Sequence, residues 1–194
     1  MELHMHLKTQ ASDDGQLVSR AKRDGEAFGE LYRRHYDEIF RYCVHRTFSR
    51  ADAEDLTATV FTKAVASIGR FRGSDRGFRA WLFKIATNTA NTHAKKAARS
   101  PRNLSETHVL ERSPGDKPPA DDGRAEKIKS AFRYLKPKHQ AVIAMRFFED
   151  RSIAEISELL GHSQATVRSQ LSRALSQLRS RLARAEEPGR RQVK

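Results

Sequence analysis

The chain has 194 residues, 37 Lys and Arg against 24 Asp and Glu, a net charge of +13 and a pI near 10.3. With 38% hydrophobic residues and a mean hydropathy of −0.73 it is too polar for one thick core, and it reads as all-α, two small helical domains joined by a flexible linker. No apolar run approaches membrane-spanning length, and one cysteine, Cys43, excludes an internal disulfide and a multi-cysteine zinc site.

The charge is unevenly spread. Residues 1–100 hold 18 basic and 12 acidic residues, residues 101–122 hold 3 and 5, and residues 123–194 hold 16 and 7. Two basic blocks therefore flank an acidic spacer, and a field of this sign attracts polyanions, nucleic acid first among them. The opening stretch M-E-L-H-M-H-L-K-T-Q lacks a signal peptide's continuous apolar core, so a cytoplasmic protein is expected. His4 and His6 lack further ligands nearby, and no metal or cofactor is expected.

In chain order, residues 1–14 form a tail without periodicity, and a first helical domain spans 15–100. A short helix runs from Ser12 through Leu17, Val18 and Ala21 to Gly25. A long one follows, with Phe28, Leu31, Tyr32, His35, Ile39, Tyr42 and Cys43 as its inward stripe. Ser49 caps a third helix in which Leu56, Val60, Phe61, Ala64, Val65 and Ile68 face inward, and Asp52, Glu54 and Asp55 occupy the first turn, where the helix dipole favours them. Gly69 ends it, and R-F-R-G-S-D-R-G is expected to be a flexible basic hairpin.

Between Phe78 and Arg99, Phe78, Trp81, Leu82, Ile85 and Thr89 form a buried stripe. Lys84, Asn88, Asn91 and Lys95, at i, i+4, i+7 and i+11, form a second one on another face. Cations there can hold phosphates while amides bond bases or sugars. Residues 101–122 carry four of the six prolines and read as a linker. The second domain, 123–185, opens with a helix through Ile128, Ala131, Phe132 and Leu135, and Pro137 begins another with Ala141, Val142, Met145 and Phe148 inward. Residues 186–194 are a basic tail.

The strongest signal lies from Ser152 to Leu182. Ser152 and Glu155 form a capping box, Ile153, Ile156, Leu159 and Leu160 share one helical face, and Gly161 supplies a left-handed C-terminal cap. Ser163 caps a second helix whose apolar residues are Val167, Leu171, Ala174, Leu178 and Leu182. This is a helix-turn-helix. No acidic residue falls between Ser163 and Ala185, and the outer face carries Gln164, Thr166, Arg168, Ser169, Ser172 and Arg173. Laid in a major groove, such a helix puts its N-terminal side chains at base edges. No nucleophile, base and orienting group share a suggestive spacing and no Gly-rich phosphate loop occurs, so no catalysis of its own is expected.

Together these residues resemble the bacterial RNA polymerase sigma factors of the small two-domain, extracytoplasmic-function (ECF) type within the sigma-70 family. The resemblance spans about residues 15–185 and is strongest in F-R-G-S-D-R-G-F-R-A-W-L-F-K-I-A-T-N-T-A and in L-K-P-K-H-Q-A-V-I-A-M-R-F-F-E-D-R-S-I-A-E-I-S-E-L-L-G-H-S-Q-A-T-V-R-S-Q-L-S-R-A. It implies an alternative sigma factor that binds core RNA polymerase, at the largest subunit's clamp and at the flap, and directs promoter-specific initiation under an anti-sigma factor. It implies clamp docking by Asp52, Glu54, Asp55 and Phe61, and minus-ten reading by Arg70, Arg72, Ser74, Asp75, Arg76, Lys84, Asn88, Asn91 and Lys95. It implies minus-thirty-five reading by Ser163, Gln164, Ala165, Thr166, Arg168, Ser169, Ser172 and Arg173, with the linker threading toward the polymerase active centre. Ala58 and Thr59 replace a usual polar pair in the docking helix, and Thr92 stands where an Asp often precedes His93. The rival reading is a regulator of the two-component or quorum type, whose partner domain would alternate strands and helices around a phosphoacceptor aspartate.

Overall fold

The computed structural model describes residues 14–73, 75–99 and 122–186, the side chains of 14, 15, 75, 76, 98, 99, 122, 185 and 186 apart. Among these residues every regular element is helical. The tails and the linker stretch 101–121, with His4, His6 and Ser74, lie outside them.

The N-terminal unit comprises α1 (Asp14–Ala21), α2 (Gly25–Thr47), α3 (Arg50–Ser67) and α4 (Asp75–Arg99). Its helix starts are chemically marked. The Asp24 carboxylate accepts from the Glu26 N–H at 2.9 Å, and the Ser49 hydroxyl accepts from the Asp52 N–H at 3.2 Å. The inner faces of α2, α3 and α4 close on Leu31, Ile39, Tyr42, Val60, Phe78, Leu82 and Phe83, each almost wholly out of water. Cys43 lies in this core, where burial pushes its thiol up to about 11, so it packs as an inert small residue.

The C-terminal unit comprises α5 (Asp122–Arg133), α6 (Pro137–Ile143), a π-turn over Ala144–Phe148, α7 (Ile153–Leu160) and α8 (Gln164–Glu186). Both halves of the Ser152–Glu155 capping box form, at 2.8 and 3.2 Å, and Gly161 ends α7 at φ +65°. The Ser163 hydroxyl then accepts from the Thr166 N–H at 3.1 Å and starts α8. Ile156, Leu159, Val167 and Ala174 lock α7 to α8, as the apolar spacing predicts.

Several expected positions differ. Val65 is 50% exposed and Tyr32 39%, because each sits about 100° round its helix from a buried neighbour, Ala64 and Leu31. Phe148 is 37% exposed: the π-turn inserts an extra residue, with the Glu149 N–H donating to the Ala144 carbonyl at 3.1 Å, and turns Phe148 out of the α6 face. Trp81 and Ile85 are only half-buried, and Phe83, Ala86 and Ala90 take the buried line of α4. The basic hairpin is not free. Ile68–Arg70 form a 3₁₀ turn, Phe71 is buried against Phe78 and Trp81, and Asp75, Arg76 and Gly77 already belong to α4.

The two units pack against each other. α4 lies on α6 and α7, and the end of α2 lies on the π-turn. Phe48, half-buried after α2 with φ +54°, sets its ring edge-on to Phe132 and Phe148 at 5.1 and 5.9 Å.

Candidate nucleic-acid interface

α8 presents its expected face to solvent. Ser163, Gln164, Ala165, Thr166, Arg168, Ser169, Ser172 and Arg173 are all exposed, while Val167 and Ala174 on the opposite side are sealed. Ser163 and Thr166 bond each other at 2.9 Å within the cap, so their hydroxyls hold the helix start. The Arg168 guanidinium donates to the Gln164 side-chain oxygen at 3.2 Å. That aligns a guanidinium and an amide side by side on the first two turns, the groups that pair with guanine and adenine edges. The positive end of the helix dipole adds to their attraction for a polyanion.

α4 presents a second polar face. Lys84, Asn88 and Lys95 are exposed along it, as their spacing requires, and Arg70 and Arg72 stand exposed just before it. Asn91 departs from the expectation. It is half-buried, and its side-chain oxygen accepts from Arg46 at 2.9 Å. Ser74 lies outside the described residues, as do the side chains of Asp75 and Arg76. Thr92 is exposed and donates back to the Asn88 carbonyl at 2.9 Å, and His93 stands 3.8 Å from Asp52.

On α3, Glu54, Asp55, Ala58, Thr59, Thr62 and Val65 make the exposed face, with Asp52 half-exposed at its start. Thr59 and Thr62 donate to the Asp55 and Ala58 carbonyls at 2.8 Å, so their hydroxyls are spent on the helix and their methyls remain outermost. Phe61 is not on this surface. It is 5% exposed beneath Tyr32, ring centroids 4.6 Å apart, because it falls on the same stripe as Val60 and Ala64. Tyr32 and Val65 are the apolar groups this face offers instead.

Periodicity did not reveal a polar network between the two units. Arg46, 6% exposed, donates to the Tyr42 hydroxyl at 2.7 Å, to Asn91 at 2.9 Å, to the Pro137 carbonyl at 3.4 Å and to Gln140 at 3.5 Å. The Tyr42 hydroxyl also bonds Thr87 at 3.0 Å. Glu38 lies between Arg79 of α4 and Arg151 before α7, bonded to both. Burial alone would raise Glu38, but the bonds and charge of Arg79, with the charge of Arg151, hold its carboxyl below the ordinary carboxylate range. Nearby, burial raises the Glu149 carboxyl, which Arg41 at 3.8 Å and Arg151 only partly offset. His45, 3.3 Å from Glu149, is pushed down by burial and then by Arg41, which disfavours the charged ring beside that carboxyl. A signal existed: Arg46 continues the inward line Ile39, Tyr42, Cys43.

An exposed helix-turn-helix whose second helix carries no acid between Ser163 and Ala185, and a second basic-and-amide face on a separate helix, define a helical nucleic-acid-binding protein. Comparison with known proteins narrows this. Residues 31–100 match Sigma-70 region 2 and residues 131–180 match Sigma-70, region 4. The ECF RNA polymerase sigma factor BldN of Streptomyces coelicolor is 31% identical over 182 residues, covering 89% of this chain and 69% of its own. The RNA polymerase sigma factor YlaC of Bacillus subtilis is 31% identical over 169 residues, covering 85% and 97%. Among solved structures, CnrH in complex with the cytosolic domain of CnrY shares the fold, with a TM-score of 0.60 at 24% identity, covering 88% and 97%.

The chain belongs to the sigma-70 family, and within it to the ECF RNA polymerase sigma factors, proteins that bind core RNA polymerase and promoter DNA. The two-component or quorum reading falls with it, since region 2 occupies the half where that regulator needs strands. Among the described residues no helix is long and apolar enough to cross a membrane, and no group of residues is arranged to hold a metal ion.

Proposed function

We propose that this sigma factor divides promoter recognition between its two helical units, 15–100 and 123–185, and docks on core polymerase through the outer face of α3. In this reading Asp52, Glu54 and Asp55 meet the cationic side of the clamp, with Tyr32 and Val65 supplying the apolar contact in place of the buried Phe61. Arg70, Arg72, Lys84, Asn88, Asn91 and Lys95 hold the minus-ten strand, with Ser74, Asp75 and Arg76 beside them. α8 reads the minus-thirty-five duplex through Gln164, Arg168, Ser169, Ser172 and Arg173, on a start made by Ser163, Ala165 and Thr166. The linker 101–122 reaches toward the polymerase active centre, and the C-terminal unit meets the flap.

The protein is not itself an enzyme. It works in the cytoplasm, where transcription takes place, and lowers the cost of opening DNA by offering cations and amides to the separated strand. An anti-sigma factor holds it off DNA until a signal arrives. The observation that carries the proposal is the pair of exposed cationic faces, on α4 and α8, in a single chain.

Footprinting the reconstituted holoenzyme on a selected promoter tests it. The account expects protection at both elements and permanganate-reactive thymines near minus ten, all lost when the chain is omitted. Protection by the chain alone, unchanged by adding core polymerase, would sink it.

A further inference from the structure

The inward line of α8 runs through Val167 and Ala174, and one further heptad step reaches position 181. An arginine stands there in place of an apolar residue. Arg181 is exposed and lays its guanidinium over the ring of Tyr134 on α5, 4.4 Å from the centroid. Tyr134 itself is 63% exposed, so the core does not account for it. Around this pair α5 and α8 leave an open groove of about 300 Å³, lined also by Lys127, Ser130, Ala131 and Arg184.

The groove is cationic and unsatisfied. Among the described residues no carboxylate pairs with Lys127, Arg181 or Arg184, and the neighbouring Glu126 is taken by Lys129 at 3.7 Å. The Ser130 and Tyr134 hydroxyls likewise make no hydrogen bond among the described residues. The promoter duplex does not fill this place. Arg181 and Arg184 lie about 20 and 24 Å along α8 from Arg168 and roughly 140–160° round the helix, so a duplex on the reading face is beyond their reach.

Cations beside an exposed aromatic ring are the parts that hold a single nucleic-acid strand, with phosphates on the cations and a base on the ring. An acidic peptide would use the charges and leave the ring idle. Two free hydroxyls beside the stack can bond a ribose 2′-OH, the group that distinguishes RNA from DNA. We infer that the α5–α8 groove binds a short single strand of RNA, one base stacked on the Tyr134–Arg181 pair and the flanking phosphates on Lys127 and Arg184. A chain that binds RNA polymerase meets such a strand whenever transcription starts. The groove gives the C-terminal unit a contact with the transcript on a face separate from α8's reading face, and the inference does not depend on the promoter assignments.

The test uses the full chain and a fluorescein-labelled oligouridine of about ten nucleotides, against its deoxy counterpart. Lys84→Gln and Lys95→Gln are carried through the anisotropy titrations to quiet the α4 stripe. The RNA should bind more tightly than the deoxy strand. Tyr134→Ala should weaken RNA binding at least about fivefold, the lower bound for one lost base stack, whereas Tyr134→Phe keeps the ring and most of the affinity. Lys127→Gln with Arg184→Gln should lower the log–log salt slope by about 1.4, or 0.7 for each phosphate contact. These side chains are exposed, so melting followed by circular dichroism should hold, and binding of the minus-thirty-five duplex should not change. In the unmodified chain, ultraviolet crosslinks mapped by mass spectrometry should place a uridine on Tyr134.

Crosslinks confined to the α4 stripe would overturn the inference. So would equal affinity for the RNA and its deoxy counterpart, or RNA binding that survives Tyr134→Ala unchanged and yields to an acidic peptide of equal charge.

Discussion

Arg168 offers a clean separation of folding from recognition. Its side chain is exposed and its recorded bond is the 3.2 Å donation to Gln164 one turn back, an interaction that contributes only a few tenths of a kcal/mol to a helix. Arg168→Ala should therefore leave the urea unfolding midpoint of the free protein nearly unchanged. On the promoter, losing a bidentate guanidinium costs about 1–3 kcal/mol of discrimination, or roughly 5- to 150-fold. Fluorescence anisotropy with matched duplexes, the selected minus-thirty-five element and a version changed at one guanine, reads this directly. The account expects the variant to lose affinity for the selected duplex and to treat the two nearly alike. An equal loss on every sequence, with the salt slope reduced by about one, would show a phosphate contact and refute base reading by Arg168.

Val65→Asp on the outer face of α3 places a charge where water already reaches, so its melting temperature should change little, while affinity for core polymerase in a pull-down titration falls at least about tenfold, as for an apolar contact at the centre of an interface. If the binding stays intact, docking lies elsewhere. Glu149 has a raised carboxyl pKa, so its protonated form suits the folded state and stability is lost as pH climbs through the raised value. Glu149→Gln should accordingly match the wild type near pH 4 and exceed it increasingly toward pH 7 in urea titrations; a constant difference would refute the burial argument. Gly161 sits at φ +65° with open space where a Cβ would go, so Gly161→Ala costs about 1–2 kcal/mol through backbone strain alone, readable as a lower melting temperature. No change there would mean the turn relaxes.

Local signals predicted the local structure well. The helix-turn-helix was legible because capping residues, a left-handed glycine and an apolar period all act within a few residues of one another, and each formed as expected. The α4 polar stripe was legible for the same reason, and Lys84, Asn88 and Lys95 are indeed exposed. Val65 and Phe148 depart from expectation because the hydrophobic period names a face but not its edges, and a π-turn shifts the register without any mark in composition; Phe61 is buried as that period expects, and only the resemblance set it on the docking surface. The polar network at the boundary of the two units was hidden for a different reason. Glu38, Arg46, Arg79 and Arg151 lie up to 113 positions apart, and only the fold brings their charges together.

Run-off transcription with purified core polymerase, on a library randomised at both promoter elements, tests the central claim most directly. The account predicts discrete transcripts that require the chain, from templates sharing one minus-ten and one minus-thirty-five sequence, the latter relaxed by Arg168→Ala. Transcripts that appear equally without the chain, or a chain that never associates with core polymerase, would contradict it.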